Sequence, residues 1–131
     1  MSIIKGIHHV ALKAHGMENF NKALDFYQNV LGMKKIRSWG KGEDIIVMLD
    51  TGAGILELFS NAPNVLPTGV FQHLAFETDQ PDTCIDAVKR AGYQVTTEPT
   101  DVIIQSETPY PVRIAFCIGP VSETIEFFKV R

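Results

Sequence analysis

Ile7-His8-His9-Val10-Ala11-Leu12-Lys13-Ala14 and Phe71-Gln72-His73-Leu74-Ala75-Phe76-Glu77-Thr78 are degenerate copies of one segment. Each alternates apolar and polar residues around a histidine, the pattern of a half-buried strand. The stretch after each copy repeats as well. After the first, Phe20, Leu24, Tyr27 and Leu31 recur at helical spacing, and Gly32 stands where a C-terminal cap is expected. After the second, Pro81 suits a first helical position, and Cys84, Ile85, Val88 and Ala91 form an apolar stripe that Gly92 ends.

Strands resume after each glycine, at Met33 and Tyr93. Residues 34–39, 45–49 and 54–60 are the candidates in the first half, and 93–98, 113–118 and 124–130 those in the second. Turn residues separate them: Gly40 and Gly42, Asp50-Thr51-Gly52, and Gly119-Pro120. Each half is therefore a strand, a helix and three strands. This predicts an α+β fold, a single domain over residues 1–131 made of two modules, about 4–62 and 69–131. Two proline-containing segments, 61–69 and 99–111, read as irregular, and long loops in a compact domain tend to be functional or mobile.

Composition narrows the function. Of 131 residues, 45% are hydrophobic and 21% charged, ordinary values for a globular domain. A net charge of -3 with scattered basic residues argues against nucleic acid and against an anionic membrane surface. No apolar run approaches the ~20 residues of a membrane helix. The N-terminus lacks the apolar core of a signal peptide, and Cys84 and Cys117 match no metal-binding spacing. A cytoplasmic protein with two reduced, buried thiols is the expectation.

Four polar residues stand out. Glu57 interrupts Ile55-Leu56-Glu57-Leu58-Phe59, and Glu126 interrupts Thr124-Ile125-Glu126-Phe127-Phe128. A buried ionised carboxylate is costly unless it is paired or bound to a metal. By strand parity Leu56 and Leu58 pack on a helix while Glu57, Phe59 and Asn61 face the other way, and Glu126 and Phe128 likewise oppose Ile125 and Phe127. In the first strands His9, Ala11 and Lys13 share a face, as do His73, Ala75 and Glu77. His8 falls on the opposite face, with Val10 and Leu12, and His15 falls in the turn before the helix, as an exposed polar residue. Singly, a strand histidine is more often structural and a strand glutamate more often solvated. Together, His9, Glu57, His73 and Glu126 make a mixed nitrogen and oxygen ligand set for one divalent ion.

With these motifs, together with residues 23–33 (Ala-Leu-Asp-Phe-Tyr-Gln-Asn-Val-Leu-Gly-Met), the chain resembles the vicinal-oxygen-chelate superfamily. Its members include glyoxalase I, methylmalonyl-CoA epimerase, extradiol dioxygenases and bleomycin or fosfomycin resistance proteins. The resemblance implies two βαβββ modules whose curved sheets form a partly open, barrel-like enclosure around a metal site. The ligand order is most similar to short bacterial glyoxalase I (lactoylglutathione lyase), which implies nickel or cobalt, with zinc or manganese also suited. It implies substrate contacts from Lys13 and Asn61, a homodimer, and a substrate formed from methylglyoxal and glutathione or another thiol. Two departures bear on the thiol: Lys13 stands where an arginine is usual, and Gly119-Pro120-Val121-Ser122 replaces a common Asp-Pro-Asp-Gly turn.

The reaction so implied is proton transfer next to a carbonyl through a metal-bound enediolate, with Glu126 as the base and Glu57 as second candidate. An epimerase of 2-substituted acyl-CoA would use the same glutamates but calls for a basic surface that this acidic chain does not advertise. A dioxygenase would need iron and leave Glu57 dispensable. A non-catalytic protein that sequesters a small molecule or drug would line its pocket with Trp39, Phe59 and Phe128.

Overall fold

The computed structural model describes residues 2, 7–65, 72–105 and 108–131. Phe71 of the second copy, residues 66–69 of the first irregular segment and the expected module starts at 4 and 69 lie outside the described residues. The chain divides into two compact units, Met1–Leu66 and Pro67–Arg131.

The first unit runs β1 (His9–Lys13), α1 (Gly16–Asp25), a wider π turn (Phe26–Val30), β2 (Lys34–Lys41), β3 (Asp44–Asp50) and β4 (Ile55–Phe59). The second runs β5 (Leu74–Glu77), α2 (Pro81–Arg90), β6 (Val95–Ile104), β7 (Tyr110–Ile118) and β8 (Thr124–Val130). Each unit is thus a βαβββ module with one open, mixed sheet of four strands, ordered β1-β4-β3-β2 and β5-β8-β7-β6. In both, the first strand is carried by the helix into a parallel pairing with the last, and the remaining pairs are antiparallel.

The central strands supply the core. Leu56 and Leu58 of β4 are 1% and 2% exposed, and Ile125 and Phe127 of β8 are 0% and 2% exposed. Helix α1 packs on β4, and α2 packs across β6, β7 and β8. In α2, Ile85 and Val88 are buried, Cys84 is half-buried and Ala91 is exposed just past the helix end. Gly92 follows with φ +85°, which lets the Tyr93 N–H donate to the Val88 carbonyl at 3.1 Å and closes the helix. On β7, the Arg113 guanidinium donates to both Asp82 carboxylate oxygens at 2.7 Å and to Asp101 at 3.1 Å, tying α2 to its sheet. This guanidinium holds the Asp82 carboxyl below its ordinary range.

Three sequence expectations are corrected. The first helix does not run through with one period: the Leu31 N–H donates to the Phe26 carbonyl at 3.0 Å, five residues back, so the last turn widens. The buried stripe therefore becomes Phe20, Ala23, Phe26 and Tyr27, and Leu24 and Leu31 are only half-buried. Second, segment 99–111 is mostly strand. Pro99 sits in a register shift between Thr97 and Thr100, where its missing N–H costs no ladder bond, and β6 then continues to Ile104. Third, of the two thiols expected to be buried only Cys117 is buried, and Cys84, in the first turn of α2, is half-buried.

No helix of the described residues is long and apolar enough to cross a membrane.

Backbone strain and thiol burial can each be tested. Gly32 and Gly40 both have positive φ (+82° and +108°), but a Cβ at Gly32 meets open space whereas one at Gly40 would lie 2.0 Å from the Asp44 carbonyl oxygen. Urea denaturation should show Gly32→Ala losing about 1–2 kcal/mol from backbone strain, and Gly40→Ala losing clearly more. Cys117 is fully buried, and burial pushes its thiol up to about 12. A thiol whose ionisation is raised is protonated below that value, so at pH 8 a disulfide reagent should label Cys117 only after the protein unfolds.

Candidate functional site

Strand register explains why the repeat puts histidines beside glutamates. In the first unit Ala11 of β1 is the parallel partner of Glu57 on β4, and His9 stands two residues before Ala11. In the second, Ala75 of β5 is the partner of Glu126 on β8, and His73 stands two residues before Ala75. Side chains two apart share a face, so each imidazole leans over the neighbouring carboxylate. His9 Nε2 lies 3.6 Å from Glu57 Oε1, and His73 Nε2 lies 3.1 Å from Glu126 Oε1. Small alanines at 11 and 75 leave the space between them open.

Both carboxylates are buried within their strands, Glu57 at 6% and Glu126 at 8% exposure, while the histidine rings are more open, at 41% and 31%. Burial pushes the Glu126 carboxyl above its ordinary range, and the His73 ring beside it pulls part of the way back. On the other side of each glutamate the antiparallel neighbour is large and apolar: Met48 beside Glu57, Phe116 beside Glu126. The Phe116 ring also meets His73 edge to face, with centroids 5.6 Å apart. Sequence reasoning did not identify Met48 or Phe116. Pairing the hairpins from their turns would have found them.

Each module thus brings together two of the four expected residues. Among the described residues no three histidine, cysteine, aspartate or glutamate side chains gather at one point. For metal bonds of ~2.1 Å, neighbouring ligand atoms lie about 3.0–3.4 Å apart at octahedral or tetrahedral angles. The two imidazole–carboxylate separations fall on and just beyond that range, so each pair has the chemistry and the spacing of two adjacent ligands.

The other sequence candidates lie nearby or elsewhere. Lys13 is exposed at the end of β1, its Nζ 5.6 Å from the centre of the Phe59 ring. The Asn61 amide donates to Asp44 Oδ1 at 3.1 Å, and its backbone bridges to His15. His15 is exposed but engaged, its Nδ1 2.9 Å from the Ala62 carbonyl oxygen, where it fastens the end of β1 to the end of β4. His8 precedes β1 and touches His9, with the two Nδ1 atoms 3.1 Å apart. Trp39 on β2 pairs with Ile46 and is 43% exposed. Phe128 stacks against Tyr110 at a tilt, centroids 6.0 Å apart. Buried Ser60, unremarkable in the sequence, accepts from the Ile45 N–H and donates to the Glu43 carbonyl, both at 2.8 Å, and so pins the β2–β3 turn to β4.

A paired βαβββ plan with a histidine and a buried glutamate in each module defines a class, and comparison with known proteins places the chain in it. The profile of the Glyoxalase/Bleomycin resistance protein/Dioxygenase superfamily matches residues 6–107, and the chain belongs to that superfamily. A lactoylglutathione lyase of Neisseria meningitidis serogroup A is 34% identical over 112 residues, covering 75% of this chain and 81% of the relative. Among solved structures, a glyoxalase family protein from Enterococcus faecalis superposes with a TM-score of 0.70 at 24% identity, covering 97% of this chain and 99% of that one. An antibiotic binding protein from a Streptomyces species superposes with a TM-score of 0.69 at 20% identity, covering 100% of both. These two likenesses show the fold.

If the buried glutamates are kept for function and not for stability, removing one should not weaken the fold. Chelator-treated Glu126→Met should unfold at the same urea concentration as the chelator-treated parent, or be more stable by up to about 1–4 kcal/mol. A clear loss of stability would mark the His73–Glu126 pair as structural.

Proposed function

We propose that the protein is a metal-dependent lyase or isomerase of the glyoxalase I type, in which His9, Glu57, His73 and Glu126 hold one divalent ion. The observation that supports this best is the repeated pair: two modules, each with one imidazole Nε2 and one buried carboxylate oxygen 3.1–3.6 Å apart at equivalent register. Two borderline nitrogen donors and two hard oxygen donors suit nickel or cobalt, with zinc or manganese also accommodated. We favour a homodimer; β2 is exposed along its whole length and carries Ile36 and Trp39, 52% and 43% exposed. We place the protein in the cytoplasm.

Bound there, a divalent ion acts as a Lewis acid that polarises a carbonyl and stabilises negative charge on its oxygen. The proton chemistry belongs to the chain. The Glu126 carboxylate takes the proton from the carbon bearing sulfur and hydroxyl in a hemithioacetal of methylglyoxal. The same carboxyl returns it to the adjacent carbonyl carbon as the hydroxyl oxygen gives up its proton and the ketone oxygen gains one. No oxidant is needed, and the product is a 2-hydroxy thioester. Burial supports this role, since a carboxyl held above its ordinary range is closer to the working range of a general base. Glu57 is the alternative base. Lys13, exposed at the end of β1 near the Phe59 ring, would meet a carboxylate of the thiol. Asn61 would first have to leave Asp44. The lactoylglutathione lyase relative supports glutathione as the thiol.

A second reading is supported by the aromatic surroundings of Glu126, where Phe116 pairs with it in register and Phe128 follows two residues on against Tyr110. A small-molecule-binding protein of the same fold would use these rings for affinity. The Streptomyces antibiotic binding protein shares the fold.

The deciding experiment strips the protein with a chelator, restores nickel, cobalt, zinc or manganese separately, and follows thioester formation from methylglyoxal and glutathione. The expected result is metal-dependent turnover, greatest with nickel or cobalt, that falls at least about a hundredfold in Glu126→Gln. Stoichiometric metal binding without turnover would discard this substrate, and absence of metal binding would discard the site.

A further inference from the structure

The residue immediately before each site histidine touches that histidine's other nitrogen. Gln72 Oε1 lies 3.1 Å from His73 Nδ1, and His8 Nδ1 lies 3.1 Å from His9 Nδ1. The contact recurs once in each module at the same point of the repeat, although the residues making it differ. In each case the opposite nitrogen, Nε2, faces the carboxylate.

A neutral imidazole carries one proton on one of its two nitrogens. A carboxylate 3.1 or 3.6 Å from Nε2 draws that proton to Nε2. In that tautomer Nε2 has no lone pair to offer, and an N–H points to where a cation would sit. An acceptor at Nδ1 works the other way, because it holds the proton at Nδ1 and frees the Nε2 lone pair. The oxygen of Gln72 can only accept, so it specifies Nδ1–H on His73. Two nitrogens 3.1 Å apart can share only one proton between them. If His9 donates, His8 must accept with Nδ1 and carry its own proton on Nε2. The two rings of the His8–His9 contact stand at 88°, and Phe116 meets the His73 ring at 88°, which holds the ring planes as well.

We propose that His8 and Gln72 are positioning residues, which keep the His9 and His73 protons on Nδ1 and present both Nε2 lone pairs to a divalent cation. The proposal rests on the reading of His9 and His73 as ligands. Such outer partners usually change metal affinity 10–100-fold. Because both contacts are solvent-exposed, the lower end of that range is expected here.

The test has two readouts on the full chain. Long-range proton–nitrogen correlation spectra of the ¹⁵N-labelled, metal-free protein in mildly alkaline solution report which nitrogen of each neutral ring is protonated. Competition with a chelator reports nickel and zinc affinity. In Gln72→Leu the Nδ1–H share of His73 should fall and affinity should drop roughly tenfold; Gln72→Glu, which keeps an oxygen acceptor, should restore both. His8→Leu should do the same at His9, and His8→Asn should rescue it. Unchanged proton positions in both leucine variants would overturn the proposal. If the parent binds no metal, the ligand reading fails on its own, while the proton positions still decide whether His8 and Gln72 set the tautomers.

Discussion

A carboxylate in the middle of a central strand must be matched by something that compensates for its lost hydration, at a cost of several kcal/mol per ion otherwise. Both modules meet this constraint in one way. Glu57 and Glu126 lie on the most buried strands of their sheets, and the partner comes from the parallel edge strand, two residues before the register position. The helix in each module makes this match possible. Only a crossover connection can bring the first strand parallel to the last and set His9 or His73 over the glutamate. Alanine at 11 and 75 then leaves room for the imidazole to lean across.

On the proposed reading, these costly pairs are kept for function. A leucine or methionine in place of either glutamate would fit an otherwise apolar strand, and burying a carboxylate beside a partly exposed imidazole brings little net stability. What the arrangement does provide is a carboxyl whose proton affinity is raised by burial and two nitrogen–oxygen pairs spaced as metal ligands. The superfamily to which the chain belongs spans lyases, resistance proteins and dioxygenases, so the fold carries no single activity. On the proposed reading, activity would depend on the residues at these few register positions and on their neighbours in register, Met48 and Phe116.

The two modules share a plan but differ at corresponding points. Lys13 and Glu77 end β1 and β5 at equivalent positions, each beside a phenylalanine in register, with opposite charge. His8 and Gln72 precede the two histidines with different acceptors. Met48 and Phe116 back the two glutamates with different bulk.

The internal repeat, the α+β class and the strand-helix-strand order were readable from residue pattern alone, because period-2 and helical spacings and the glycines at 32 and 92 are local signals. The shared faces of His9 with Ala11, of His73 with Ala75, and of each glutamate opposite its packed neighbours were readable as parity, since alternation requires only that the segments be strands; which histidine meets which glutamate was decided by strand register. Other features depended on contacts that no local pattern encodes. The widened turn after Asp25, with Phe26 and Tyr27 both buried, interrupts the helical period that the sequence shows. The strand through Pro99 survives because a register shift falls where the proline has no N–H to give. Buried Ser60 joins one backbone group of the β2–β3 turn and one of β3 through its hydroxyl. The contacts of His8 and Gln72 with the following rings likewise depend on side-chain direction at the entrance to a strand, where alternation no longer applies. Periodicity determined which residues face the same way, and the tertiary structure decided which atoms meet, because distances of about 3 Å are set by register, bulges and rotamers together.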